Sequence, residues 1–382
     1  MLLKMIIHVV LPGETLGQIA SYYNISIESI IDANDLQNLN QLAVGQSLVI
    51  PIEAPDKERP VIDVNAYIYL LEQAEPIIRE VGADLTYLCP FTYIIQENGD
   101  LRALNDSSSI RTAYEENAAP MMCIANFTTT SMGENLAHVV LSSPAIIQTL
   151  LTNILSIMRE KGYMGLNIDF ENVLPADGEL YNQFIQLTVN TLHPEGYFVS
   201  SALAPKTGPE QVGLLYEAHD YPAHGRILDF VILMTYEWGY RFASPQAISP
   251  LNEIRRVLDY AVTVIPRDKI FFGFLIYARD WLLPHVQGQA AETFSNREAL
   301  QRAIDHGAII QYDEIAQSPF YRYTDSEGRL HEVWFEDARS AQAKFDIVKE
   351  YGLAGISYWA LGYPFPENWI LLEDNFTISK II

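Results

Sequence analysis

Three things are scarce in this chain, and each scarcity closes off a class of function. No stretch reaches the roughly 20 consecutive apolar residues that a membrane-spanning helix needs, so membrane insertion is not expected. Only two cysteines occur in 382 residues, Cys89 and Cys123. Both lie in apolar, strand-like runs and read as buried free thiols rather than a disulfide framework. Cations are the third shortage: 24 Lys and Arg stand against 48 Asp and Glu, a formal net charge of −24. That balance argues against nucleic acid or an anionic membrane as a partner. An anionic wall polymer would not be attracted by charge either, and would have to be recognised through its neutral sugar faces. The 8 histidines show no metal spacing: His219 and His224 fall in a loop-like stretch with Pro222 and Gly225. Neither a metal nor a cofactor is expected.

What is present points to a globular protein. Hydrophobic residues make up 49%, and 22 Tyr with 16 Phe exceed what a core alone needs and suit stacking on sugars. The length holds one large domain and one small one. The start, Met1 to His8, is a short apolar run broken by His8 that leads into a folded unit. No cleavable secretory signal is expected, and the chain is expected to act as a monomer.

The chain is organised around Gly162-Tyr163-Met164-Gly165-Leu166-Asn167-Ile168-Asp169-Phe170-Glu171-Asn172-Val173. Read with period two, Leu166, Ile168 and Phe170 share one face of a strand, and Asn167, Asp169 and Glu171 the other. Stacked carboxylates are costly to bury unless they are hydrogen-bonded, share a proton or face a cavity. Helical patterns flank the run, Pro144 to Lys161 before it and Gly178 to Leu192 after it. Acids at the C-terminal end of a strand between helices sit where a (β/α)8 barrel puts its catalytic groups. At these residues the chain resembles glycoside hydrolase family 18, the chitinase family, whose signature is D-G-x-D-x-D-x-E. Met164 to Glu171 lies over that signature, with Met164 in place of its first Asp and Asn167 in place of its second.

In chain order, Ile6 to Pro51 reads as a compact β-α-α-β unit. His8-Val9-Val10-Leu11 is a strand, and Pro12-Gly13-Glu14 a turn. Thr15 and Ser26 cap two helices, the second with Ile27, Ile30 and Ile31 on its inner face. Val44 to Pro51 returns as a strand. The pattern of Val10, Gly13, Thr15-Leu16, Ile19-Ala20, Asn34, Leu42, Val44-Gly45, Leu48 and Ile50-Pro51 resembles the LysM module, which binds glycans containing N-acetylglucosamine. The resemblance makes Gly13, Glu14, Thr15 and Leu16 candidate glycan contacts; for Thr15, a pure capping role is an equal alternative. Domains are expected at 1–51 for the module, 52–62 for a short stiff linker and 63–382 for the catalytic domain.

Strand candidates in that last domain are Val64–Leu70, Leu85–Ile95, Met121–Phe127, Leu166–Phe170, Phe198–Ala204, Phe230–Tyr236, Ile270–Tyr277 and Gly355–Trp359. Further helices are expected at Ile110–Asn117, Leu251–Val264 and Ala338–Tyr351. The fold class is α/β: a closed parallel (β/α)8 TIM barrel, the rival being an open doubly wound sheet. The long seventh-to-eighth connection carries alternating runs and a hairpin turn at Asp325–Gly328. The resemblance makes it a small α+β insertion.

Glycosidic cleavage needs an acid on the leaving oxygen and a nucleophile at the anomeric carbon. Asp169 and Glu171 lie two apart on one strand, so both stand on the same face of the sugar. That suits the substrate-assisted exception, in which the sugar's own acetamido oxygen attacks. Glu171 would be the acid and then the base, while Asp169 would hold the acetamido N–H and raise the Glu171 pKa. Asn167 is counted with them, beneath Asp169. Met234-Thr235-Tyr236-Glu237 resembles the family's M-x-Y-D segment. By that resemblance Tyr236 donates to the acetamido oxygen, Met234 lines the pocket, and Glu237 stands where an Asp is usual. Trp359 matches the family's hydrophobic floor. Tyr67, Asn126, Trp238, Tyr277 and Trp281 lie at or past strand ends, where lining the cleft and packing are equal alternatives. The combination of module and barrel resembles the spore cortex-lytic N-acetylglucosaminidases. That implies hydrolysis of cortex peptidoglycan in germination, in a protein placed on the spore without a signal peptide. The alternatives are a chitinase or endoglycosidase on another polymer, and a non-catalytic wall-binding protein.

Overall fold

The computed structural model describes residues 2–36, 41–55 and 58–382. Eight parallel strands form the barrel: Val61–Ile68, Tyr87–Pro90, Ala119–Ala125, Gly165–Asp169, Phe198–Leu203, Phe230–Leu233, Ile270–Leu275 and Gly355–Leu361. Each pairs with its neighbours in sequence, and the last pairs with the first, so the sheet closes. Period two divides each strand. Leu166, Ile168 and Phe170 join the large apolar cluster under the outer helices. Tyr67, Cys89, Met121, Cys123, Phe230 and Phe271 fill the interior. Both cysteines are free and buried.

The outer helices start and stop where their caps dictate. Ser143 accepts from the Ile146 N–H ahead of Pro144–Lys161, Pro144 takes the first turn, and Gly162 ends the helix in the left-handed region. Gly178–Leu192, Leu251–Val264 and Ala338–Tyr351 run over the expected spans. Four strands are shorter than expected, the fifth by one residue, ending at Leu203. The second stops at Pro90, which has no N–H to continue the ladder, and resumes as the two-residue strand Tyr93–Ile94. The sixth stops at Leu233, because Thr235 N–H bonds back to the Leu233 carbonyl and Tyr236 N–H to that of Met234. The seventh stops at Leu275, and Tyr277 opens a separate strand.

That strand, Tyr277–Leu283, belongs to the insertion. It is a five-stranded antiparallel sheet with Glu292–Ser295, Leu330–Trp334, Ser318–Thr324 and Gln311–Asp313, and the helix Asn296–Asp305 packs beside it. The expected hairpin turn is present, with Asp325 N–H bonding the Arg329 carbonyl and Gly328 at φ +80°.

The N-terminal unit pairs strand Leu2–Val9 with Ser47–Ala54 around helices Leu16–Tyr23 and Ile27–Asn34. Its first strand precedes the expected one, and its last runs three residues past Pro51. With the barrel's first strand opening at Val61, the expected linker 52–62 narrows to residues 55–60; of these, Asp56 and Lys57 lie outside the described residues. Ile27 is exposed rather than on the inner face, which is carried by Ile30 and Ala33.

This unit docks on the barrel side. Val49 and Ala33 enter the barrel's main cluster, and Met5 and Ile7 pack against it. Leu48 and Ile50 stay in the unit's own core. The Ile310 N–H donates to the Val44 carbonyl (2.9 Å) and Arg339 Nη2 to that of Gly45 (3.0 Å). Gly45 is required twice: its φ is +84°, and a Cβ there would lie 2.0 Å from the Ile310 carbonyl oxygen.

Candidate active site

The C-terminal ends of the barrel strands converge on a pocket of about 240 Å³. Asp169 and Glu171 come from the fourth strand and the residues just past it. Tyr236, Met234 and Glu237 come from the kink after the sixth, Tyr67 from the first, Tyr277 from the insertion and Trp359 from the last. Phe91, Phe127 and Ala202 complete the lining. The Trp359 ring packs edge-on to Tyr67 and Phe91, which fixes the indole.

Glu171 is held by its backbone. Asn126 Nδ2 donates to the Glu171 carbonyl (2.8 Å), and the Glu171 N–H donates to Asn126 Oδ1 (2.9 Å). The sequence had offered Asn126 as a lining residue; it is instead the clamp that aims Glu171, because both amide atoms are spent on main chain. Burial first, and the charge of Glu237 second, push the Glu171 carboxyl above the usual range. The expected cause was Asp169. The effect runs the other way, since burial and then the Glu171 charge push Asp169 well up. Asp169 is buried, and its Oδ1 has no hydrogen-bond partner among the described residues.

The ground beneath Asp169 is neutral. Tyr67 Oη donates to Asn167 Oδ1 (2.8 Å), Cys123 Sγ approaches the same oxygen (3.7 Å), and Asn167 Nδ2 donates to Ser200 Oγ (3.0 Å). Asn167 is fully buried and pinned at both ends, and it gives no hydrogen bond to Asp169. Tyr67 lines the pocket with its ring while its hydroxyl serves this network. Tyr236 is kept firmly protonated by burial and by the charges of Asp169, Glu171 and Glu237, so its hydroxyl is a standing donor.

Glu237 is anchored rather than free. It sits at φ +69°, a left-handed conformation that costs a non-glycine residue roughly 1–2 kcal/mol. Arg279, from the first insertion strand, donates to both its oxygens at 2.9 and 2.8 Å, and the Tyr277 hydroxyl donates to one of them. Arg279 Nη1 also reaches the Gly239 carbonyl (2.5 Å). Nothing local in the sequence marks Arg279; its position two residues after Tyr277 on an insertion strand was the one available sign.

Other candidates do not reach the pocket. Trp238 packs against the main apolar cluster, its N–H bonded to the Ile248 carbonyl. Trp281 is a buried core residue whose Nε1 donates to Ala243 (2.8 Å). In the N-terminal unit Leu16 is core, correcting its assignment as a glycan contact. Thr15 forms a capping box with Gln18. Glu14 accepts from the Leu11 N–H and pairs with His8. Gly13 holds the turn at φ +85°. Among the described residues no group of three His, Cys, Asp or Glu could hold a metal, and no helix is long and apolar enough to cross a membrane.

A closed parallel barrel with two adjacent raised carboxyls, a protonated tyrosine and aromatic rings at its C-terminal mouth is an arrangement suited to a glycoside hydrolase. The pattern described as Glycosyl hydrolases family 18 matches residues 90–363, and that of the LysM domain residues 8–51. The chain belongs to glycoside hydrolase family 18. It is 39% identical to the cortical fragment-lytic enzyme of Bacillus subtilis (strain 168), over 98% of this chain and 99% of that one. Two solved structures superpose over nearly their whole length. The Bacillus megaterium spore cortex-lytic enzyme SleL gives a TM-score of 0.93 at 37% identity, covering 98% and 99% of the two chains. The Bacillus cereus spore cortex-lytic enzyme SleL gives 0.94 at 34% identity, covering 99% of each.

Proposed function

We propose that this chain hydrolyses the β-1,4 bond that follows N-acetylglucosamine in spore cortex peptidoglycan or its fragments, during germination. The mechanism is retaining and substrate-assisted. The names of its relatives support the polymer, and the LysM module supports a glycan with N-acetylglucosamine. The enzyme works on the spore, as a monomer and without a cofactor.

One observation carries the mechanism. The pocket lining holds three carboxylates, Asp169, Glu171 and Glu237. Glu237 is spent on Arg279 and Tyr277. The other two share one strand end, so no carboxylate is left to attack from the opposite face. The acetamido oxygen of the substrate takes that place. Glu171 protonates the leaving oxygen, Asp169 holds the acetamido N–H and faces the cation, and Tyr236 donates to the acetamido oxygen. Glu171, now ionised, then takes a proton from water as it opens the oxazolinium ring. In a muramic lactam the nitrogen is tied to the lactyl group, so that sugar cannot react this way.

The experiment is digestion of purified cortex, borohydride reduction and mass spectrometry of the labelled ends. Reduced N-acetylglucosamine is the expected product; reduced muramic residues would mean a muramidase and end the reading. Purified chitin digested in parallel separates the cortex assignment from a chitinase.

A further inference from the structure

The fourth barrel strand runs out of sheet just before the acid. Its last ladder partners are Ala125, opposite Asp169, and Ser201, opposite Ile168. Past that point side chains take over from the ladder. We propose that His219 is a positioning residue for Glu171, gripping the peptide group between Phe170 and Glu171 from the fifth-strand side, opposite Asn126. The proposal rests on the reading above, in which Glu171 is the acid.

That peptide group is planar, so its carbonyl, its N–H and the Glu171 Cα move as one body. The N–H donates to Asn126 Oδ1 (2.9 Å), and the carbonyl accepts from His219 Nε2 (2.9 Å). His219 can do this in one form only. The Ala204 N–H donates to its Nδ1 (2.8 Å), so that nitrogen carries no proton and Nε2 carries it. Burial pushes the ring down to about 4 against the bond to Phe170, and the Lys206 charge adds to the fall. The imidazole is therefore neutral at neutral pH, and both bonds stand. Ala204 follows the fifth strand directly, and its carbonyl accepts from Tyr221 Oη (2.6 Å). The main chain of His219 is held too, its carbonyl accepting from Lys206 Nζ (3.1 Å) and its N–H donating to the Tyr216 carbonyl (3.1 Å).

His219 does not line the pocket, and both its nitrogens are spent on main chain. Its effect passes through Glu171. The Phe170 ring stacks on Tyr181 and on Phe184, each at 5.5 Å, so that side chain anchors its own residue without help. What the ring leaves open is rotation about the Phe170 Cα–C bond, and that rotation swings Glu171. The bond from His219 closes it.

The test measures kcat and KM of the full chain on soluble cortex fragments, with melting temperatures in parallel. His219→Asn keeps an acceptor for Ala204 and loses the donor to Phe170. His219→Gln reaches the Nε2 position, so it keeps the donor and loses the acceptor. Each leaves one main-chain group unanswered, and both melt earlier by similar amounts. Turnover separates them: kcat falls about 10- to 100-fold in His219→Asn and stays within about threefold of the wild type in His219→Gln. KM changes little in either, since His219 touches no sugar. An equal fall of kcat in both variants would show a merely structural histidine and overturn the proposal, as would a wild-type kcat in His219→Asn. Should His219→Asn not fold, His219→Gln decides alone: a kcat near the wild type supports the grip, and a fall of about tenfold or more overturns it. A Glu171→Gln enzyme that keeps its activity fails the underlying reading instead, and the proposal with it.

Discussion

The seam between module and barrel and the mouth of the barrel obey opposite rules. At the seam, apolar side chains interlock and main-chain groups are answered: Val49 and Ala33 in the barrel's cluster, Ile310 on Val44, Ala338 on Ser47 Oγ, Arg297 on Asp35. At the mouth, Asp169 Oδ1 is buried without a partner among the described residues, Asp169 is raised by burial and by Glu171, Glu171 by burial and by Glu237, and Glu237 holds a left-handed backbone. The first region lowers the free energy of the fold, and the second raises it. A site that keeps a carboxylic acid protonated near neutrality needs that second kind of surrounding. The contrast can be attacked from both sides.

The largest effect belongs to the mouth. Glu171→Gln keeps size and removes the proton donor, so turnover should fall at least about 100-fold. Since the native carboxyl gains nothing from its neighbours, thermal stability should not fall with it. A variant that retains most of its activity would remove Glu171 as the acid. Seam substitutions should behave in reverse. Val49→Ala deletes two buried methyl groups and should cost about 1–3 kcal/mol, with turnover on short soluble substrates little changed. All five tryptophans, Trp238, Trp281, Trp334, Trp359 and Trp369, lie in the barrel domain. Their fluorescence therefore reports the barrel alone. A barrel midpoint that does not move in Val49→Ala would show that the module merely rests on its neighbour.

The same two regions differ in how far they could be read from residues. The strand that carries Asp169 and Glu171 was legible because alternation of apolar and acidic side chains admits few structures, and because Ser143, Pro144 and Gly162 punctuate the helix before it. The kink after Leu233 was not, since Met234 and Tyr236 are as strand-like as the residues before them. The seam was missed because a polar, proline-bearing segment reads as a linker. A sign was present: Leu48, Val49 and Ile50 are three apolar residues in a row on a strand of a two-stranded unit. One face fills the unit's own core, so the other needs a partner elsewhere. Asn126 and Arg279 act through main chain and through an insertion strand, contacts that no local pattern encodes.

A smaller effect follows from the orphaned oxygen. The folded state holds the Asp169 proton more tightly than the unfolded chain does. For an acid raised in this way, both states are protonated below the unfolded value and nothing is lost. As pH rises beyond it, stability falls until the folded carboxyl ionises too. Asp169→Asn cannot ionise. Its melting temperature relative to the wild type should therefore rise with pH across that window, while activity is lost. Parallel melting curves at several pH values check this, and a constant difference would mean that Asp169 is better solvated than its burial implies.

The smallest expected effect isolates one charge. Glu171 is raised first by burial and second by Glu237. The free enzyme needs Glu171 protonated, so kcat/KM must decline as pH rises through its ionisation. Glu237→Gln removes the neighbouring negative charge and leaves Arg279, 5% exposed, without its partner. Loss of a like charge and gain of an uncompensated opposite one both favour the ionised form of Glu171. The alkaline limb should therefore move to lower pH. Burial, the larger cause, is untouched, so the limb should not return to that of an ordinary glutamate. Some stability is lost as well, because a buried guanidinium has been left alone, and the profile must be recorded where the variant is folded. Glu237→Asp separates charge from shape, since it keeps the charge and shortens the reach. If charge is the cause, its limb stays nearer the wild type than that of Glu237→Gln. Equal displacement in both variants would assign the effect to the geometry of the kink, and a limb that moved to higher pH would refute the like-charge account.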